Sequence, residues 1–451
     1  MVNTQVSTEP GTLDPSFGSG GDGKVVLPFP GVSGAVPTAV YALPDNRLLV
    51  AVGASPAEGA PAKIVMLNEK GDIDTTFAFE GVADLPLDGS DWFFPQAIYP
   101  LDNGWIITGE VTKGTDDDPD LAVVKLKSSG QFNEAFGVRG KAIFRIVDFI
   151  GSEAAEGVKF ISRQDYEKRT GDNAMAKNAS GGAHSQLQSD KIILVSTVFF
   201  KFNDLRVLVL CLGPDGSLDR SFNGTGFRFV DVPNYVGRAT YVNGVKVQPD
   251  LKILICGSVA SEQPGEYFDA YVMRCNPNGT DDISFGDAKT GAVIISKSGE
   301  WLSVNSMTLK PDGGVIAVGS SGANSALIVV FNQSGSFNKV FNQGQPLFSH
   351  FLRNLSWHKC VLQQDGKIIT NGIANSMEFP AKAATVIARF DAGGNLDLNY
   401  AKKGWVSIEE ALAHTILEDV ALTQSNKVVV ATYAFEIGQS ISGRVTRFLN
   451  Q

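Results

Sequence analysis

An aspartate, a hydroxyl, an aromatic ring and several glycines stand together in LDPSFGSGG, Leu13–Gly21. Two chemistries fit that grouping. A carboxylate with turn carbonyls could hold calcium. Alternatively, the carboxylate accepts N–H bonds from the residues just after it and sets a turn. The grouping returns as IDTTF at Ile73–Phe77 and LDRSFNGTG at Leu218–Gly226. The closing aromatic falls at Phe17, Phe77, Phe136, Phe222, Phe285, Phe341 and Tyr400, spaced 60, 59, 86, 63, 56 and 59 residues apart. Three residues before each is Asp14, Asp74, Asn133, Asp219, Asp282, Asn338 or Asp397. Asparagine in two copies suits hydrogen bonding better than charge, and one carboxylate per turn is too few for tight calcium binding. The motif therefore reads as a joint. Its acid caps a turn, and its aromatic plugs the gap between neighbouring units.

Candidates for chemistry lie where the chain does not repeat. Trp92, Phe93, Tyr235, Arg238, Trp301, Arg353, Trp357 and His358 stand in or beside loops that vary from period to period, with Asp91, Glu300 and His414 close by. Clustered Trp, Tyr and Arg are the residues of an interaction hot spot or a sugar-stacking surface. Glu156, Asn243, Glu418 and Asp419, with His358, are expected on innermost strands near a central channel, where carboxylate and amide ligands could hold a metal. Asp116, Asp117 and Asp118 in TKGTDDDPD are a weaker calcium candidate, because adjacent carboxylates point in different directions. No His-Glu-x-x-His, Gly-x-Ser-x-Gly or phosphate-cradling motif occurs, so no catalytic residue is assigned and no cofactor is expected.

The elements that must position these residues are strands. Each period holds four apolar runs of four to eight residues, such as RLLVAVG, KILICGS and KVVVATY, bounded by Pro-Asp-Gly or Asp-Asn turns. Four antiparallel strands per period, seven times, predict an all-β, seven-bladed β-propeller. Residues 1–12 read as a tail and residues 13–451 as one domain, with an insertion at about 162–190 placed at the hairpin tip of blade three. The phase of the repeat leaves a lone strand near the start and three strands near the end. The N-terminal strand is therefore expected to complete the last blade, which removes two free edges.

The 451-residue chain carries a net charge of −10, which argues against nucleic-acid or anionic-lipid partners. No segment reads as a secretory signal or as a membrane span. The cytoplasm, or export without a classical signal, is expected, and a monomer is favoured. Cys211, Cys256, Cys275 and Cys360 sit in apolar runs without metal or disulfide spacing and read as buried thiols.

The pattern x-Leu-Asp-x-Ser-Phe-Gly-x-x-Gly-Lys-Val, followed by Pro-Asp-Gly-Lys-Ile and an Ala-Arg-Phe-type strand, resembles the bacterial delta-60 repeat family over about residues 13–450. FNEAFGVRG and FNKVFNQG depart from it, with Phe-Asn in place of Leu-Asp. The resemblance implies a propeller and no defined catalytic motif. The strand order also resembles propellers of the NHL type, which mostly bind partners, although related propellers include lactonases and lyases. The resulting reading is a binding module that meets a protein or glycan through its aromatic loop face. A metal-dependent hydrolase or lactonase acting in the channel is the alternative. An exported effector or structural protein is a further one.

Overall fold

A computed structural model of the chain describes residues 9–450 apart from 90, 115–117, 162–182, 202–203, 262–266, 287, 323–324, 376–382, 409–413 and 436–440. The described strands form seven antiparallel sheets. The innermost strands of blades one, two and four to seven are Pro37–Ala42, Asp91–Leu101, Thr240–Val247, Leu302–Leu309, Ser356–Leu362 and His414–Leu422. In blade three that strand is split into Lys159–Phe160 and His184–Gln188. Each innermost strand packs on the next, and the seventh packs on the first, so a ring closes around a central channel. The second and third strands are apolar on both faces: every residue of Leu48–Val52, Ser325–Phe331 and Ala384–Phe390 is buried. Such strands need cover on both sides, and a blade between two neighbours provides it. The core accordingly lies between blades, as where Ile64 and Met66 of blade one meet Phe93 and Val111 of blade two. Among the described residues, no helix is long and apolar enough to cross a membrane.

The N-terminal strand closes the ring as expected. Lys24–Val26 lies along Ser442–Phe448 with Lys24 opposite Thr446, Val25 opposite Val445 and Val26 opposite Arg444. It becomes the outermost strand of blade seven.

The repeated motif is the joint between blades. Asp14 Oδ1 accepts Ser16 N–H at 3.0 Å and the Ser16 hydroxyl at 2.7 Å, and the same turn recurs at Asp74, Asp219 and Asp282. The aromatic then meets a glycine of the next blade's turn. A Cβ on Gly71 would stand 2.9 Å from the Phe17 ring, and at φ +91° the position also disfavours any side chain. The pairs Phe136–Gly216, Phe222–Gly279, Phe285–Gly335 and Phe341–Gly394 repeat the contact. A backbone bond ties the same turns, as from Gly18 N–H to Lys70 O at 2.8 Å and Gly286 N–H to Ser334 O at 2.8 Å. At three joints an arginine adds a clamp. Arg447 and Arg274 each donate Nε to the motif acid at 2.7 Å, and Arg389 Nε forms an ion pair with Asp397 Oδ2 at 2.9 Å, while the three guanidiniums lie over Phe17, Phe285 and Tyr400.

These joints set a pH dependence. Burial raises the Asp14 carboxyl, but hydrogen bonds from Lys427 and Ser16 and the charge of Arg447 outweigh it and hold it at about 2. Lys191, then Ser221, hold Asp219 at about 2. A carboxyl depressed on folding stabilises the fold above its unfolded value, near 4, and that contribution is lost as pH falls through the folded value. The urea midpoint is therefore expected to fall steeply from about pH 4 towards 2. A midpoint that stays level to pH 2 would contradict the joint as described.

Candidate functional site

The variable loops gather on the face opposite the joints, but they do not present their aromatics equally. Phe93 is 1% exposed and sits in the core between blades one and two. Trp357 is fully buried, with its ring 6.2 Å from Phe390 and 6.1 Å from Phe351. Both were expected on the binding face and both are interior. Their loops end earlier than the sequence suggests, so these rings already follow the strand's inward alternation. Trp92 is half-buried at the start of its strand. Tyr235 is half-buried and its hydroxyl donates to Asp269 Oδ2 at 3.2 Å. Arg238 is exposed and donates to Ser261 O at 3.2 Å, and Arg353 is exposed in the loop before blade six.

Trp301 is the ring that makes a site. It ends the loop leading into Leu302–Leu309 and lies 4.8 Å from Phe268, which is itself 5.7 Å from Tyr241. All three residues are half-buried. With Ser258, Leu302, Ser303 and Ser320 they line a shallow surface cleft of about 20 Å³ between blades four and five. The cleft has an aromatic wall and a floor of hydroxyls. One hydroxyl is fixed: Ser303 Oγ accepts Asn243 Nδ2–H at 2.8 Å and donates to Asn305 Oδ1 at 2.9 Å. Asn305 in turn donates Nδ2–H to Trp357 O at 2.9 Å. Phe268 and Tyr241 were not singled out from the sequence. Their signal was the placement of Tyr241 one residue into a strand that faces the Trp301 loop.

The channel residues share a backbone feature. In every blade except the third, the innermost strand carries a bulge, and the extra residue is Thr38, Gln96, Asn243, Asn305, His358 or Glu418. Four second strands answer with a glycine. A Cβ on Gly109, Gly257, Gly319 or Gly372 would fall within 2.1 Å of a carbonyl oxygen of the bulged strand. Asn243 is buried and spends its amide on blade five. Asp419 follows the Glu418 bulge and bridges blades: Oδ2 accepts Val40 N–H at 3.0 Å, and Oδ1 lies 3.5 Å from Lys359 Nζ. Glu156 corrects its expectation. It is exposed in the loop before Lys159–Phe160, because a short helix at Val147–Ile150 and the turns after it use up the chain that would have reached the channel.

The insertion is also relocated. Phe160 pairs with Val198, Ile161 N–H bonds Thr197 O, and His184 pairs with Val195. The chain thus leaves the ladder between Ile161 and Ala183, at the place where other blades have a one-residue bulge. The hairpin tip is Ser189–Asp190, a turn without Gly or Pro that the surrounding polar run concealed. Residues 162–182 themselves, like Asp116 and Asp117, lie outside the described residues. Asp118 is exposed and pairs with Lys159. Among the described residues, no group of three or more His, Cys, Asp or Glu could hold a metal ion. The four cysteines are buried and free.

Residues 188–222 match the family described as domain of unknown function (DUF5122) beta-propeller. No curated protein matches the chain. Among solved structures, a protein of unknown function from Dyadobacter fermentans is similar at 11% identity and TM-score 0.41, over 79% of this chain and 94% of that one. An α-L-arabinanase from Penicillium chrysogenum complexed with arabinobiose is similar at 12% identity and TM-score 0.42, over 79% and 93%. An ulvan lyase of polysaccharide lyase family 25 is similar at 11% identity and TM-score 0.38, over 75% and 79%. Likenesses this distant say nothing about activity.

Proposed function

We propose that the protein is a binding module that receives a glycan or protein partner on its variable-loop face, anchored in the cleft between blades four and five. The observation behind this reading is the half-buried trio Tyr241, Phe268 and Trp301 beside serine hydroxyls. An aromatic face accepts the C–H face of a sugar ring, and fixed hydroxyls beside it accept or donate to the ring's substituents. That composition favours a sugar over a peptide. Trp92 and Arg353 stand on the same face and would extend it. Trp357, being interior, takes no part.

Trp301→Ala is expected to weaken capture on a glycan array by about tenfold or more, the loss typical of a central aromatic anchor. The far-ultraviolet spectrum should stay unchanged, since the ring is not in the core. Undiminished capture by a folded Trp301→Ala protein would overturn the assignment of the cleft. Capture of a protein but no glycan would redirect it to a peptide partner.

A further inference from the structure

Given a glycan in the cleft between blades four and five, as proposed above, we infer that Ser303 determines its specificity by accepting the proton of one uncharged sugar hydroxyl. A chain of hydrogen bonds fixes the direction of that contact. Asn243 Nδ2 donates to Val304 O at 3.1 Å as well as to Ser303 Oγ at 2.8 Å. Asn305 Nδ2 donates to Trp357 O at 2.9 Å. A backbone carbonyl only accepts, so each of these contacts settles which end of its amide is nitrogen. Asn305 therefore turns its oxygen to Ser303, and that oxygen takes the hydroxyl proton at 2.9 Å. A serine hydroxyl has one proton and two lone pairs. The proton goes to Asn305 and one lone pair to Asn243, which leaves one lone pair. Ser303 is half-buried and lines the cleft. It meets a ligand as an acceptor, so the ligand must donate.

The two asparagines are positioning residues. Both are buried, and each is the extra residue of a strand bulge. Each reaches the next blade from there, Asn243 to Ser303 in blade five and Asn305 to Trp357 in blade six. Size and charge narrow the ligand further. A water needs about 10–15 Å³ of such space. The cleft, at about 20 Å³, thus takes one hydroxyl, while the sugar ring stays outside against the aromatic rings. A carboxylate or sulfate brings more than one oxygen and no proton for Ser303. None of the seven lining residues carries a charge to receive an anion, and the acids Asp269 and Glu300 adjoin Phe268 and Trp301 in the sequence. Ser320 stands opposite Ser303 in the ladder, and Ser258 opposite Tyr241. Their hydroxyls line the same cleft and can donate to the oxygen of the entering hydroxyl. An amide N–H suits Ser303 but offers those donors no lone pair. A hydroxyl suits all three.

Titration of the full-length protein tests this, first with cello-, galacto- and manno-oligosaccharides. The sugar that binds is then replaced by its monofluorinated analogues, one for each hydroxyl. Fluorine keeps roughly the size of the oxygen and its lone pairs but carries no proton. Fluorination at one position is expected to weaken binding about tenfold or more. In Ser303→Ala the penalty at that position should shrink to about twofold or less, because the acceptor is gone. In Asn305→Ala it should shrink as well, because the freed Ser303 proton can turn towards the ligand; this ratio decides if Ser303→Ala binds too weakly to measure. Equal binding of every analogue would refute the role of Ser303. A penalty that survives both substitutions unchanged would do the same, since the proton is then read elsewhere. Sugar binding that Trp301→Ala abolishes and fluorination leaves untouched would spare the glycan site and overturn this specificity alone. No binding of any sugar in the three series would overturn both.

Discussion

Arg447→Ala is expected to destabilise the fold by about 3 kcal/mol, read as a fall in the urea midpoint. The side chain is 1% exposed and Asp14, its partner, is 2% exposed. Arg447 does four things at once. Nε bonds Asp14 Oδ2 at 2.7 Å, one terminal nitrogen bonds Glu69 O at 2.7 Å, the other bonds Ser16 Oγ at 3.1 Å, and the guanidinium lies 4.4 Å from the Phe17 ring centre. Truncation leaves Asp14 buried with Lys427 and Ser16 alone and opens a void above Phe17. Breaking a buried pair from one side costs more than the pair contributes, because the remaining charge stays out of water. Arg47→Ala is the control. Arg47 also pairs with a motif acid, Asp74, but it is 34% exposed, so its loss should cost no more than about 1 kcal/mol. Equal effects at the two positions would show that the arginine clamp contributes nothing special to the joint.

Deleting residues 1–30 should do more damage still. The deletion removes the strand Lys24–Val26 and the buried side chains Phe17, Leu27 and Phe29. Each such side chain contributes about 1.5–3 kcal/mol by burial, so the loss amounts to roughly 5–9 kcal/mol before the ladder is counted. It also strips Asp14 from Arg447 and exposes the edge at Arg444–Thr446. An open edge pairs with whatever strand it meets. Light scattering behind a sizing column should show oligomers, and the unfolding midpoint should drop. A monomer with unchanged melting would show that closure lies elsewhere.

The ring, its phase and its joints were legible because they repeat. Asp or Asn three residues before an aromatic is a pattern that composition does not produce by accident, and the glycine that meets the aromatic is written into the third-strand turns of the first six blades. The site was less legible because it depends on which way a single side chain turns. Trp357 and Trp301 look alike in sequence, each beside a polar loop. One lies inside the strand and points to the core; the other stands just before its strand and stays half-open. The facing of residues beyond each bulge could not be read from the sequence, since one extra residue reverses the facing of everything after it. A trace of those bulges was visible. The glycines in WIITGEV, KILICGS, VIAVGSS and KIITNGI interrupt otherwise apolar strands, and they fall where the bulged backbone comes too close for a Cβ.

The pairing of Lys24 with Thr446 also has a bearing on time. Hairpins within a blade join residues that are near one another along the chain and can form early. The last sheet joins residues separated by nearly the whole sequence, a closure whose entropic cost falls as the intervening blades condense and shorten the effective loop. A strand made before all the blades that it closes is thus among the last to find its place. Until it does, blade seven keeps one open edge, and the interval before it closes is when the chain is most exposed to association with its neighbours.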